Sequence, residues 1–493
     1  MQSRLRWLFF FITLLSIVLM SARVPLDTDM WWHIKAGQIS IENGSALVQD
    51  SFSYTKEGAD WVNHSWLAQV ILAFLYEHMG YYGLTLFVVV LSVFTFGFVF
   101  FTIKGHAFIK SLLVIIGATL VSTVWSPRPQ LFTLLFLSIL VFSVDRYFDK
   151  KIKNLWFIPV VFIVWGNLHG GYFTGLVYLL MMLAGMTYDL FLSNIEVEFD
   201  RSQYSHLALV TIVSIPALLI NPNGLDTLLI PFSTVGVDIL RNLIDEWASP
   251  DFHQPLQMGF AILLFIFIFF IGVSKSKVSA RNLFPILGFG LLAFYAKRNI
   301  APFVIVMLPL FADLLVQWLQ SLRFSKFFVD FMMPSTYTWK MKDNNPPLMR
   351  VINLFFVAFI GLIAAGKFIY VSYPSVVNTY LEQSVPVKAY DVYDSLDTPG
   401  NLLNEYGWGG YQIANYENIP VFVDGRTDLF GDEIIGEWIS LIRSDERYEV
   451  LLKKYDIQAV LLQNDRPLVT TLIENGWNVA YQDKITSLLI HSK

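Results

Sequence analysis

Long apolar blocks, rather than a short-range alternation of apolar and polar positions, dominate this chain from its start to about residue 372. Blocks of spanning or near-spanning length fall at about 5–22, 82–103, 107–125, 130–146, 155–168, 170–191, 206–220, 256–273, 282–296, 299–317 and 351–372. A bilayer takes about 20 such residues per helix, so the pattern predicts about eleven transmembrane helices, several of them short. The stretch 155–191 reads as one broken helix or as two. The first block lacks a small-x-small cleavage site, so an uncleaved helix is predicted there rather than a signal peptide.

Two regions break the pattern. Residues 23–80 form a first polar segment within the transmembrane part, 1–372. Its stretch 30–42 sets Trp31, Ile34 and Ile41 on roughly one face, which predicts a helix lying in the membrane interface with Trp at headgroup level. Residues 50–66 read as a loop and 67–80 as a second, amphipathic helix. Beyond residue 372 charge rises and turn residues appear, so 373–493 is predicted to be a compact α/β domain. There "IPVFVDG" (419–425) and "IQAVLLQ" (457–463) read as buried strands, "DEIIGEWISLIRS" (432–444) and "YEVLLKKY" (448–455) as helices, and "NVAYQDKITSLLIH" (478–491) as a closing hairpin.

Charge orients these parts. Arg4 and Arg6 put the N-terminus in the cytoplasm, and alternation then places "DKKIKN" (149–154), "SKSKVSAR" (274–281) and the basic stretch 323–350 on the same side. The acidic segment 23–66 and, by parity, residues 373–493 fall outside. The outer face then gathers "DTDMWWH" (27–33), "WVNHSW" (61–66), "SPRPQ" (126–130), "NLHGG" (167–171), "NPNG" (221–224), "DEWASPDFH" (245–253) and "KRN" (297–299). Each alone reads as turn formers or snorkelling side chains. Together on one face, they predict a shared cavity, because polar groups at membrane depth are costly unless they face water or one another. The cytoplasmic halves of the helices, by contrast, read as almost featureless.

Composition narrows the chemistry. Of 493 residues 55% are hydrophobic and only 15% are charged, where a soluble domain carries about a quarter. The net charge of −5 is spread out, with no basic tract for nucleic acid. The absence of cysteine excludes disulfides, thiolate metal sites and a cysteine nucleophile, and it leans towards a bacterial source and its cytoplasmic membrane. The C-terminal part has no GxGxxG, P-loop or HExxH motif.

The candidate chemistry sits in Asp27-Thr28-Asp29. Such a pair can chelate a divalent cation, Mg²⁺ or Mn²⁺, or one carboxylate can act as general base while its neighbour orients it. Arg128, His169, Lys297 and Arg298 are cations or donors on the same face, suited to neutralising a phosphate leaving group. His33 and His64 join them as substrate-binding candidates.

Taken together, "DTDMWWHIKAG", "DSFSYT…WVNHSWLAQ", "SPRPQLFT", "NLHGGYFTG", "NPNG", "EWASPDF" and "YGWGGYQI…PVFVDGRTDLFGD" resemble a group of bacterial membrane proteins of the GT-C glycosyltransferase superfamily, over nearly the whole chain. The resemblance implies a sugar donor carried on a polyprenyl phosphate or diphosphate, inversion at the anomeric carbon, and a cell-envelope acceptor. It also implies that Asp27, at the first position of the acidic motif of the oligosaccharyltransferase branch, is the general base or metal ligand, with Asp29 second. Thr28 stands where that motif has Pro, and His33 near its Arg. "EYGWGGY" (405–411) is similar to that branch's acceptor motif without its Trp-Trp-Asp order, so Tyr406, Trp408, Asp424 and Arg426 are acceptor-side candidates and peptide recognition does not carry over. Two other readings stay open: a non-catalytic scaffold for envelope polymer assembly, and a transporter, against which the featureless cytoplasmic halves argue.

Overall fold

The computed structural model describes residues 2–193, 199–235, 244–274, 277–321, 347–396 and 400–491. Positions 323–346 of the third basic stretch, and 275 and 276 of the second, lie outside the described residues. Helix α1 (Gln2–Ser21) leads into two helices of the first polar segment, α2 (Met30–Asn43) and α3 (Trp66–Met79). Then follow α4 (Tyr81–Thr102), α5 (Ala107–Val121), α6 (Gln130–Phe148), α7 (Ile158–Leu168), α8 (Tyr172–Phe191) and α9 (Arg201–Ala217). The short α10 (Ile230–Val235) precedes α11 (Pro255–Val273), α12 (Ala280–Tyr295), α13 (Ile300–Ser321) and α14 (Pro347–Ser372). Each apolar block is thus a helix, and 155–191 forms two.

Among the described residues seven of these helices are long and apolar enough to cross a membrane, and part of α1 and the whole of α7 and α12 are shorter apolar helices. The chain is a multi-pass membrane protein. Its outer helices turn apolar side chains such as Phe265, Leu291, Leu354 and Leu362 outward, as lipid requires. Hydroxyls inside the bundle such as Ser143 and Thr211 bond back to their own helix, at the Ile139 and Leu207 carbonyls, which satisfies these groups away from water.

The halves of the helices that the sequence reads as almost featureless are not so. Helix α6 starts beside Arg128 and ends, at its other extremity, on a cavity of about 180 Å³ lined by Lys104, Asp145, Asp149, Arg281 and Asp313. Lys104 pairs with Asp149 at 2.8 Å and Asp145 at 3.5 Å, and the Arg281 guanidinium lies 4.4 Å from the Phe148 ring centre. Asp189 closes the start of α12 by accepting the backbone N–H groups of Ala280 and Arg281, each at 3.0 Å. Asp149 and Arg281 belong to the basic stretches 149–154 and 274–281, whereas Lys104, Asp145 and Asp313 sit at or inside apolar blocks, where hydropathy does not show them meeting.

The C-terminal part comprises α15 (Pro374–Ser384), α16 (Val387–Ser395), β1 (Asn401–Asn404), α17 (Gly409–Asn415), α18 (Thr427–Ile442), α19 (Tyr448–Lys454), β2 (Ile457–Gln463), α20 (Pro467–Glu474), β3 (Asn478–Gln482) and β4 (Thr486–Ile490). The sheet order is β1-β2-β4-β3, with β1 parallel to β2 and the other neighbours antiparallel. Leu403, Val460 and Leu489 pack with Phe430, Trp438 and Leu472, while Leu402, Ala459 and Leu488 join a cluster with Ala389 and Tyr390. Burial on both faces explains why β2 reads as a continuous apolar run.

Two expectations fail here. Residues 419–425 are not a strand of the sheet. Val421 makes a lone parallel bridge to Ser53, exchanging backbone hydrogen bonds with Phe52 and Tyr54, because its partner is the first polar segment. Nor is α2 an interfacial anchor. Trp31, Trp32 and Ile34 are all buried, at 4%, 5% and 2% exposure, and Trp31 meets Tyr76, Tyr81 and Tyr411 edge-on. Protein from α3, α4 and α17 covers Trp31, and of the face that the pattern assigned to lipid Ile41 alone is exposed.

Candidate active site

The loops at one end of the bundle converge on Arg128. This residue lies between two prolines in "SPRPQ", its backbone N–H donating to Ser126 at 2.7 Å, so the chain reaches α6 in a fixed turn. The guanidinium meets a different carboxylate with each nitrogen: Nη2 to Asp29 at 2.5 Å, Nη1 to Glu246 at 2.7 Å, and Nε 3.7 Å from Asp27. Asp27 accepts the backbone N–H of Asp29 at 2.9 Å, the side-chain turn by which Asp residues commonly open a helix. Asp29 then stands at the N-terminus of α2, where the helix dipole favours negative charge.

Burial raises the Asp29 carboxyl to about 6; Arg128 opposes the rise, and the neighbouring Asp27 and Glu246 add to it. For Arg128, burial alone would lower the guanidinium, but Asp29, Asp27 and Glu246 outweigh it and hold it charged.

Histidines sit close by. Asn63 and Gln69 exchange amide hydrogen bonds at 2.7 and 2.9 Å, and the remaining Gln69 amide hydrogen faces His33 Nδ1 at 3.4 Å. Burial pushes His33 well below its ordinary range, reinforced by the Arg128 charge, so it is neutral with its proton on Nε2. His169 has the same tautomer for a different reason: its Nδ1 accepts the Gly171 N–H at 3.0 Å. The Thr133 hydroxyl, which accepts from Trp165 Nε1, also reaches that nitrogen at 2.8 Å. His169 therefore offers an Nε2–H donor. The His64 ring lies 5.9 Å from the His169 ring, and its Nδ1 is 3.8 Å from Asp428. Arg298 stacks on Trp247 at 4.5 Å and shares the electrostatic neighbourhood of Glu246, Arg128 and His169.

The structure thus brings Asp27, Asp29, His33, His64, Arg128, His169 and Arg298 to one place, together with Tyr406. The hydroxyl of Tyr406 bonds to Thr427 at 2.7 Å, and burial and Asp29 raise it. Others stand apart. Lys297 pairs with the exposed Asp245, and Trp408 is buried with its indole N–H on the Ser384 carbonyl at 2.9 Å. Asp424 and Arg426 are out of reach of any acceptor, since both side chains are completely buried. Arg426 bonds Asp424 at 2.6 Å and Asp50 at 2.6 Å, with its guanidinium over the Phe52 and Trp61 rings. Arg426→Ala is expected to cost about 3–5 kcal/mol of stability, read as an unfolding shift of the purified chain, because two buried carboxylates lose their counter-charge. Glu246 was not singled out from the sequence. Its signal was its place in the outer cluster "DEWASPDFH", but nothing local distinguishes it from Asp245.

Asp27 and Asp29, the candidate metal ligands, are both engaged by the Arg128 guanidinium in this structure. Among the described residues no group of three or more His, Asp or Glu side chains is placed to hold a metal, and both carboxylates, like Glu246, face a guanidinium.

No protein-family model matches the sequence, and no curated protein sequence is similar to it. Solved structures do share its fold. The Archaeoglobus fulgidus oligosaccharyltransferase in its apo form superposes with a TM-score of 0.58 at 10% identity, covering 92% of this chain and 69% of the other. The oligosaccharyltransferase AglB of the same archaeon, in complex with an inhibitory peptide and a dolichol-phosphate, gives 0.56 at 12% identity with the same coverage. The similarity extends over 92% of the chain, and the chain has a GT-C-like fold.

Proposed function

We propose that this chain is a glycosyltransferase that moves a sugar from a polyprenyl-phosphate-type donor to an acceptor on the extracytoplasmic side of a bacterial cytoplasmic membrane, with its N-terminus inside and its C-terminus outside. The observation that carries the reading is the convergence of Asp27, Asp29 and Glu246 on Arg128, beside His169 and Arg298, in a GT-C-like fold. The dolichol-phosphate bound to the archaeal structure of the same fold supports the donor class.

In this reading the acceptor hydroxyl gives its proton to a carboxylate, and its oxygen bonds to the anomeric carbon. The bond from that carbon to the phosphate oxygen breaks on the opposite face, which inverts the centre, and the electron pair leaves with the phosphate. Arg298, Arg128 and the Nε2–H of His169 neutralise the departing charge. Sequence likeness favours Asp27 as base. The raised pKa of Asp29 argues for Asp29, since a base works best with a pKa near the operating pH, while Asp27 orients it through the backbone.

The test is transfer by purified protein from polyprenyl-phosphate sugars to envelope glycans, lipids or proteins, with Asp27→Asn and Asp29→Asn alongside. Undiminished transfer by both variants would remove the assignment, and donor binding without turnover in the wild type would favour the scaffold reading. Activity should rise with pH through about 6, because Asp29 is a base only when ionised; a rate flat from pH 5 to 8 contradicts that role. With Arg128 as the cation of the site, chelation of divalent ions should leave the rate unchanged, and restoration by Mg²⁺ or Mn²⁺ after chelation would return the metal to the mechanism.

A further inference from the structure

The C-terminal part touches the acidic motif directly. A Cβ at Gly425 would lie 2.0 Å from Asp29 Oδ1 and 3.0 Å from Trp32 Nε1. A Cβ at Gly410 would lie 2.4 Å from the Thr28 carbonyl oxygen and 3.2 Å from Trp32 Cδ1. Neither space admits a side chain, so two bare backbones of the C-terminal part form the wall against which residues 28–32 rest. The turn carrying Gly425 is itself rigidly tied. Its neighbours are the buried Asp424 and Arg426, and Arg426 reaches across to Asp50 of the first polar segment. Asn404 of β1 accepts the Phe422 N–H at 2.8 Å and donates to the Val423 carbonyl at 2.8 Å. Thr55 bonds the Phe422 carbonyl at 2.7 Å.

We infer that the turn Asp424–Gly425–Arg426 is the seat that fixes Asp29 against Arg128, making Gly425 a positioning residue for the reaction, an inference that rests on the reading of Asp29 as proton acceptor. The C-terminal part is then more than a platform for an acceptor: it completes the carboxylate site. Three physical consequences follow. The turn supplies part of the burial that raises Asp29. It leaves the carboxylate no room to swing from Arg128 towards its side. And it ties the geometry of the site to a salt-bridged clamp whose charges lie outside the site.

The experiment uses the full chain carrying Gly425→Ala. Displacing a reacting group by about 1 Å costs about 100-fold in rate, so kcat should fall on that scale while KM for donor and acceptor stays within about twofold. Water admitted beside Asp29 should move the acid limb of the pH profile below its wild-type position. Independently of turnover, carbodiimide labelling of Asp29, followed by mass spectrometry, should accelerate several-fold over wild type. Gly407→Ala is the control: its Cβ meets Thr28 Cγ2 at an ordinary 3.7 Å, and its labelling should match wild type. Should Gly425→Ala not be recovered folded, Thr55→Val, which removes the bond to the Phe422 carbonyl and so loosens the turn, carries the labelling test. Wild-type labelling together with an unmoved acid limb in a folded variant overturns the seat. If the wild type shows no transfer at all, the proposed function fails, yet the labelling still decides whether the turn seats Asp29.

Discussion

Asp29→Asn is expected to lower kcat by about 10³-fold with little change in KM, measured as initial transfer rates at saturating donor. The amide keeps the shape of the side chain and can still accept from Arg128, so the fold and the anion-binding groups persist. What it cannot do is take a proton. The size of the effect follows from general-base catalysis, and the direction from the position of Asp29, 2.5 Å from Arg128 and walled by Gly425. Asp27→Asn should cost less if Asp27 mainly orients Asp29 through the 2.9 Å backbone bond, since an amide oxygen accepts that N–H as well. A larger loss at Asp27 than at Asp29 would reverse the assignment and restore the order that family likeness suggests.

Arg128→Ala should be the second large effect, about 10²–10³-fold in kcat/KM. Removing the guanidinium leaves Asp27, Asp29 and Glu246 facing one another around an empty centre. Three consequences separate it from a simple loss of packing. An anionic donor now meets uncompensated negative charge, so KM for the donor rises. Asp29 loses the charge that holds its pKa down, so the acid limb of the profile moves to higher pH, opposite to the shift expected for Gly425→Ala. And the vacated carboxylates become competent to recruit a divalent ion, so added Mn²⁺ should recover part of the rate in this variant. Arg128→Lys, which keeps the charge but not three separately directed nitrogens, should fall between wild type and Ala. A variant with unaltered KM and an unmoved pH limb would show that the guanidinium is structural.

Much of the helical layout was legible in the chain because hydropathy reports burial in lipid residue by residue. All eleven apolar blocks are helices, and the break between α7 and α8 falls at "HGG", where glycine and a polar side chain interrupt the run. Strand β2 and the hairpin β3–β4 were legible for the same reason: local pattern and local partner coincide. Legibility failed where the covering partner is distant. Trp31 and Ile34 look like an anchor because a helix pattern states which face is apolar without stating whether lipid or protein covers it; here residues near 76, 81 and 411 do. Val421–Val423 looks like a core strand because it is buried and apolar, yet its hydrogen bonds go to residues 52–55 and to the Asn404 side chain rather than to a neighbouring strand of the sheet.

The same division holds for the site. Span parity, charge bias and motif picked out Asp27, Asp29, Arg128, His169, Lys297 and Arg298 as residues gathered on one face, and of these Lys297 stands apart in the structure. The chain could not state which cation each carboxylate meets, since Asp29, Arg128 and Glu246 are separated by about a hundred residues at each step and only the bundle closes those loops. Nor could it distinguish Asp424 and Arg426, charged residues flanking a glycine, from groups that face a substrate; their complete burial is a property of two segments folded together. Sequence determined what kind of residue stands where along the membrane, because transfer energy is local. Tertiary structure decided which charges neutralise one another, because Coulomb interaction and packing depend on distance in space, and distance in space is set by the loops that bring the start of α2, the turn before α6 and the C-terminal turn together.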